Sequence, residues 1–161
     1  MEIRIREATE QDIEKLLTFE QGVIEAERPF DPTLKDGHIT YYDLPGLMAS
    51  NQAILAVAEH QGELVASGYA RLEPAKPYLK HEQHAYLGFM FVDPAHRGKG
   101  INRLIIEYLI EWARSQSIHE LRLDVYVENG PAIKAYEKLG FSKHLVEMRL
   151  NTEDQPGGLN L

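Results

Sequence analysis

Not one cysteine occurs among the 161 residues, which excludes disulfides, thiolate metal sites and a cysteine nucleophile. Long apolar runs are missing too. The greasiest stretch, Leu104 to Trp112, is interrupted by Glu107 and Glu111, so no membrane span is expected. The opening Met1-Glu2-Ile3-Arg4-Ile5-Arg6 lacks the apolar core of a secretion signal, and a cytoplasmic location is the expectation. Positive charge is scarce: 17 Lys+Arg against 25 Asp+Glu leave a formal net charge of −8. Such a chain has no broad attraction for nucleic acid or an anionic membrane. Apolar residues, in contrast, make up 43% of the chain, enough to bury a core. The length suits one domain, expected over residues 1–150, with a flexible tail over 151–161 that holds Pro156-Gly157-Gly158.

The pattern along the chain alternates strands and helices. Ile3 and Ile5 against Arg4 and Arg6 give the period of a half-buried strand. Thr9-Glu10-Gln11-Asp12 reads as a capping box, with Ile13, Leu16, Leu17, Val23 and Ile24 as the apolar stripe of the helix behind it. Arg28-Pro29-Phe30-Asp31-Pro32 ends that helix. Residues 34–50 stay ambiguous, with Pro45-Gly46 as punctuation within or beside a short helix. Ala53–Glu59 and Leu64–Leu72 predict a hairpin. A polar loop over 74–83 leads into an apolar strand, Ala85 to Val92, stopped by Asp93-Pro94. Ile101, Leu104, Ile105, Tyr108, Leu109 and Trp112 mark a long amphipathic helix. Leu121–Val127 predicts a strand, and Asn129-Gly130-Pro131 opens a helix that ends at Gly140. A last strand is expected over Phe141–Leu150. Its edge makes a homodimer plausible. The fold class is α/β, with a mixed central sheet flanked by helices.

Chemistry concentrates in one turn. Arg97-Gly98-Lys99-Gly100 sits between a buried strand and a helix, where backbone N–H groups and the helix dipole favour an anion. Arg97, Lys99 and Arg103 form a basic island in an acidic chain, and a phosphate or pyrophosphate is the natural guest. A dinucleotide fingerprint would need glycine where Arg103 stands, and a Walker loop would need glycine in place of Asp93 and Ser/Thr in place of Gly100. An ordinary strand-to-helix turn with solvated basic residues is the competing reading.

Val92-Asp93-Pro94-Ala95-His96-Arg97-Gly98-Lys99-Gly100-Ile101 resembles the acetyl-CoA signature of the GNAT N-acetyltransferase superfamily, Gln/Arg-x-x-Gly-x-Gly/Ala. Arg97, Gly100 and Asn102 occupy its defined positions, Asn102 departing from the usual small residue. Asn129-x-x-Ala132-x-x-x-Tyr136-x-x-x-Gly140-Phe141 resembles the family's second block. The resemblance spans Tyr86 to Phe141. It implies a GNAT fold whose sheet splays between the central strands, and acetyl-CoA as co-substrate without a metal. It further implies that Met90, Phe91 and Val92 pair with the pantetheine arm and that Arg97, Gly98, Lys99, Gly100, Ile101 and Asn102 wrap the pyrophosphate. Asn129 would lie near the pantetheine or cap the splay, and Tyr136 would place its hydroxyl beside the thioester sulfur.

Acetyl transfer to an amine needs a deprotonated nucleophile, since free alkyl amines have pKa values of ~10. It also needs donors for a developing oxyanion and a proton for the leaving thiolate. The resemblance makes Tyr136 the acid, although Ile133, Tyr136 and Leu139 share a helical face and a core role competes. Relatives often carry a glutamate mid-strand where this chain has Gly88-Phe89, so Asp124 is the candidate base; an aspartate on a polar strand face is the competing reading. His84, Glu82 and Tyr86 are in reserve. His81-x-x-His84 reads as an exposed loop, with no metal site expected. Arg28 is a candidate partner for an acceptor carboxylate or an ordinary surface arginine, and Tyr41, Tyr42 and Tyr86 either line a pocket or fill the core. The expected activity is N-acetylation of a primary amine on a small molecule or peptide, by direct transfer in a ternary complex. A non-catalytic CoA-binding module is the alternative.

Overall fold

The computed structural model describes residues 1–154; the expected Pro156-Gly157-Gly158 tail segment lies outside the described residues. Two compact units emerge, Met1–Asp124 and Val125–Leu161.

The first unit is built on a five-stranded sheet in the order β1 (Arg4–Glu7), β2 (Ala53–His60), β3 (Glu63–Pro74), β4 (Gln83–Val92) and β5 (Leu121–Arg122). The first three pairings are antiparallel and β4–β5 is parallel. Strand β2 is buried from Ala53 to Ala58 without alternation, the mark of a strand covered on both faces. Helices α1 (Ile13–Glu27) and α2 (Leu44–Ala49) contribute Leu16, Phe19, Val23, Leu44 and Leu47 to the core that holds Leu55, Val57, Tyr69 and Phe89. Helix α3 (Ile101–Ser115) packs on β2 and β3 through Ile101, Ile105, Ile106, Leu109 and Ala113. The β2–β3 turn uses Gln61 and Gly62, both at positive φ, as a tight two-residue hairpin requires.

Two glycines explain the closeness of the layers. A Cβ on Gly22, in the middle of α1, would come 2.6 Å from the ring of Phe91 on β4. A Cβ on Gly68 would meet Ile105 of α3 at 2.7 Å and Met90 Sδ at 2.8 Å. At the start of α1 the carboxylate half of the capping box forms, Thr9 N donating to Asp12 Oδ2 at 2.8 Å, but it closes a 3₁₀ turn over Glu10–Asp12 ahead of the helix.

Three expectations are corrected. Pro45-Gly46 does not punctuate; it forms the first turn of α2, where Asp43 caps by accepting from Gly46 N at 3.1 Å. The strand expected over Leu121–Val127 stops at Arg122, because β5 pairs with β4 only at Ala85 and Tyr86 and its ladder ends there. The strand expected over Phe141–Leu150 does not form among the described residues. Its alternation describes one covered face, yet the segment has no ladder, and Leu145 and Met148 are 86% and 89% exposed. The strand edge on which the homodimer rested is therefore not made.

The second unit holds helix α4 (Gly130–Lys138), with Asn129 as N-cap, Pro131 in the first turn and Gly140 at φ 105 just past the end. A short 3₁₀ turn covers Thr152–Asp154.

Candidate active site

Strand β4 departs from a regular ladder midway. Ser67 of β3 pairs with Phe91 and Tyr69 pairs with Gly88, so Gly68 alone faces both Phe89 and Met90. This is a β-bulge, and its first residue, Phe89, adopts φ 56, a left-handed conformation costly for a residue with a side chain. The Ser67 hydroxyl, fully buried, donates to the Phe89 carbonyl at 2.9 Å. On its other side β4 pairs with β5 only at Ala85 and Tyr86, leaving the backbone from Leu87 to Val92 without a ladder partner there. Side chains part to opposite faces: Phe91 packs against Phe19 of α1 with centroids 4.8 Å apart and rings tilted by 36°, and Met90 covers Gly68 on the α3 face.

β4 runs directly into the basic turn. Arg97 Nε donates to the Val92 carbonyl at 3.0 Å, and its guanidinium lies 5.9 Å from the Phe91 ring centroid, which ties the turn to the strand end. Gly98 and Gly100 both lie in the left-handed region, at φ 77 and 78, and a Cβ on either would touch nothing within 4 Å. The turn is therefore open to a ligand. The first N–H groups of α3, at Ile101, Asn102 and Arg103, have no helical acceptor, and the exposed Lys99 stands beside them. Ile101 itself is buried at 2%, so only its backbone is available to an anion. These residues fit a pyrophosphate.

On the face of the sheet toward α1, Tyr69, Arg71 and Glu73 of β3 pair in register with Gly88, Tyr86 and His84 of β4. Tyr86 donates its phenol proton to Asp124 Oδ2 at 3.0 Å. Burial, reinforced by the Asp124 charge, pushes the Tyr86 phenol well above its ordinary range. Asp124 is thus exposed, two residues past β5, and engaged by a phenol rather than sitting on a regular strand. Arg71 lies 5.5 Å from the Tyr69 centroid and 5.7 Å from that of Tyr86, and pairs with Glu73 at 2.6 Å. Tyr42 stacks on Phe89 at 4.5 Å, so the loop after α1 reaches the bulge. The buried Glu20 anchors that loop, its Oε2 accepting from Tyr41 N and Tyr42 N at 2.9 Å each. Arg28 is committed to the same loop: it donates to the carbonyls of Lys35 and Gly37 and pairs with Glu25. These bonds hold the loop after α1 together. His81 and His84 face each other at 5.7 Å, and no group of three metal-ligating side chains occurs among the described residues.

In the second unit Asn129 Oδ1 accepts from Ala132 N at 3.3 Å, capping α4. Tyr136 is half-buried and packs edge-on to Phe141 at 5.9 Å. Sequence reasoning missed Tyr69, Ser67 and Glu20. The signal for the first two was glycine inside apolar strands, at 68 and 88, which marks a bulge or a close approach.

This arrangement is a mixed five-stranded sheet flanked by helices, with a bulged β4 feeding a left-handed glycine turn. Residues 12–141 match the Acetyltransferase (GNAT) family model, and the chain belongs to that family. It is 43% identical over 68 residues to streptothricin acetyltransferase of Streptomyces lavendulae, covering 42% of this chain and 36% of the relative. It is 28% identical over 104 residues to the N-acetyltransferase YdgE of Bacillus subtilis, covering 65% and 64%. The matches thus span less than two thirds of either relative's length. The structure is similar to the BH1408 protein of Bacillus halodurans, solved as a tetramutant, with a TM-score of 0.82, 25% identity and coverage of 92% and 99%. A predicted acetyltransferase of Clostridium acetobutylicum, solved with acetyl-CoA, shares the fold at a TM-score of 0.72, 21% identity and coverage of 95% and 98%. No helix among the described residues is long and apolar enough to cross a membrane.

Proposed function

We propose that the protein is an acetyl-CoA-dependent N-acetyltransferase that transfers its acetyl group directly to a primary amine of a small molecule or peptide. The observation that carries this reading is the unpaired β4 edge, bulged at Phe89 and running into the left-handed Gly98–Gly100 turn. Arg97 to Asn102 hold the pyrophosphate, and the open backbone of Met90, Phe91 and Val92 receives the pantetheine arm. Acetyl-CoA supplies an activated thioester carbonyl. Backbone N–H groups around Phe91 and Val92 are the donors for the negative charge that develops there.

In the transfer a C–N bond forms and the C–S bond breaks. The proton leaving the amine passes to the Tyr86 oxygen as Tyr86 hands its own to Asp124, a route supported by their 3.0 Å hydrogen bond. Tyr136 gives its proton to the leaving thiolate. The chain's net charge of −8 favours a cationic acceptor.

Thiol release from acetyl-CoA across an amine panel tests the reading. Acceptor-dependent release is expected, and Tyr136→Phe should lower it about 10²-fold, the scale of general acid catalysis, with acetyl-CoA affinity retained. Tight CoA binding without release on any amine would instead establish a non-catalytic CoA-binding module. Unchanged turnover in Tyr136→Phe would remove the acid role.

A further inference from the structure

Tyr69 is a buried phenol that the steps above leave without a task, and its surroundings are unusual. Only 4% of it is exposed. It lies opposite Gly88, the last regular pair before the bulge. A Cβ on residue 88 would collide with the ring at Cζ, and would stand 2.5 Å from the hydroxyl oxygen and 2.7 Å from Cε2. The phenol therefore lies flat across the β4 backbone, with its oxygen above the strand one residue before Phe89. Glycine at 88 is what makes that placement possible.

We propose that Tyr69 is a catalytic residue that hydrogen-bonds the attacking amine and holds it against β4, with Gly88 as the opening that admits its hydroxyl. This rests on the acetyltransferase reading given above. The chemistry is consistent on three counts. Burial raises the Tyr69 phenol above its ordinary value, with the charge of Arg71, and to a lesser degree its hydrogen bond, opposing the rise. The group is therefore neutral at physiological pH and accepts an amine N–H through its remaining lone pair. The neighbouring bulge is fixed by Ser67 and stacked by Tyr42, so phenol and carbonyl-binding backbone are held on one rigid element. Finally, Tyr86 and its partner Asp124 lie on the same face, with the Tyr69 and Tyr86 centroids 6.4 Å apart, so the proton acceptor stands beside the amine that must lose a proton.

The test is Tyr69→Phe, which keeps the ring and removes only the hydroxyl, measured with the amines that the wild type acetylates. The expected result is a loss in kcat/KM for the amine of about tenfold or more, with KM for acetyl-CoA and Tm unchanged. A second variant, Gly88→Ala, drives the ring off the strand and should lose the same amine-dependent activity while still binding CoA. Unchanged kcat/KM for the amine in Tyr69→Phe overturns the proposal, as does a parallel loss of acetyl-CoA affinity and Tm, which is the signature of packing alone. If the wild type acetylates no amine, the acetyltransferase reading falls and this role with it. An active wild type with an indifferent Tyr69→Phe removes this role alone.

Discussion

Ser67→Ala tests whether the bulge in β4 is held by one hydrogen bond. The Ser67 hydroxyl is wholly buried and donates to the Phe89 carbonyl at 2.9 Å, while Phe89 is itself only 2% exposed. Alanine removes one oxygen and leaves that carbonyl without its donor in a site water does not reach. An unsatisfied buried group costs about 1–3 kcal/mol. Phe89 at φ 56 already carries a conformational cost of about 1–2 kcal/mol relative to an extended or right-handed residue. The two terms are of similar size, which gives the variant two outcomes. If the bulge is retained, the full loss appears in stability, roughly 3–9 °C in Tm for a chain of this length. If Phe89 relaxes out of the left-handed region, part of the loss is recovered, but the strand straightens and amine acetylation falls. Urea unfolding with an unchanged m-value, read together with thiol-release turnover, separates the two. A variant within about 0.5 kcal/mol of wild type that is also fully active would refute the reasoning, because it would mean the bulge needs neither the bond nor its geometry.

Sequence periodicity reported burial well within α3 and the β2–β3 hairpin, and pairing poorly. The stripe of Ile101, Ile105 and Leu109 became the inner face of α3, and Gln61-Gly62 became the hairpin turn, because both signals are local. Phe141–Leu150 alternates like a strand, yet alternation says only that two faces differ. It does not name a neighbour, and the segment forms no ladder. Leu121–Val127 alternates in the same way, yet its ladder with β4 ends at Arg122. The candidate site divides similarly. The anion turn was legible because Gly98 and Gly100 stand beside Arg97 and Lys99 in the chain, and contiguous residues make a contiguous site. Tyr69 and Gly88 are nineteen residues apart in number and become one feature only through strand register. Arg28 makes its hydrogen bonds within residues 25–37, a local role that its position in the chain did not reveal.

Two further substitutions probe how the first unit is held together. Gly22→Ala should destabilise by about 1 kcal/mol in urea unfolding, although alanine in a helix is worth about 1 kcal/mol over glycine. Its Cβ would stand 2.6 Å from the Phe91 ring, and overpacking costs about 1–3 kcal/mol; a more stable variant would sink that account. The last case is Asp12→Asn. Asp12 is 7% exposed and receives two bonds from Arg6, at 2.7 and 3.0 Å, and one from Thr9 N. The Arg6 bonds outweigh burial and hold its carboxyl below the ordinary 3.8. A carboxyl that is more acidic in the folded chain stabilises it most when ionised. That contribution is complete above the unfolded value and disappears as pH falls through the lower folded one. Charged hydrogen bonds of this kind are worth about 2–3 kcal/mol, so wild type should exceed Asp12→Asn by that much from pH 7 down to about pH 5. The gap should then close below 3.8 as Asp12 takes up its proton. Unfolding free energies measured across a pH series decide it: a gap that stays constant into strong acid would show that shape, not charge, makes the Arg6–Asp12 contact stabilising.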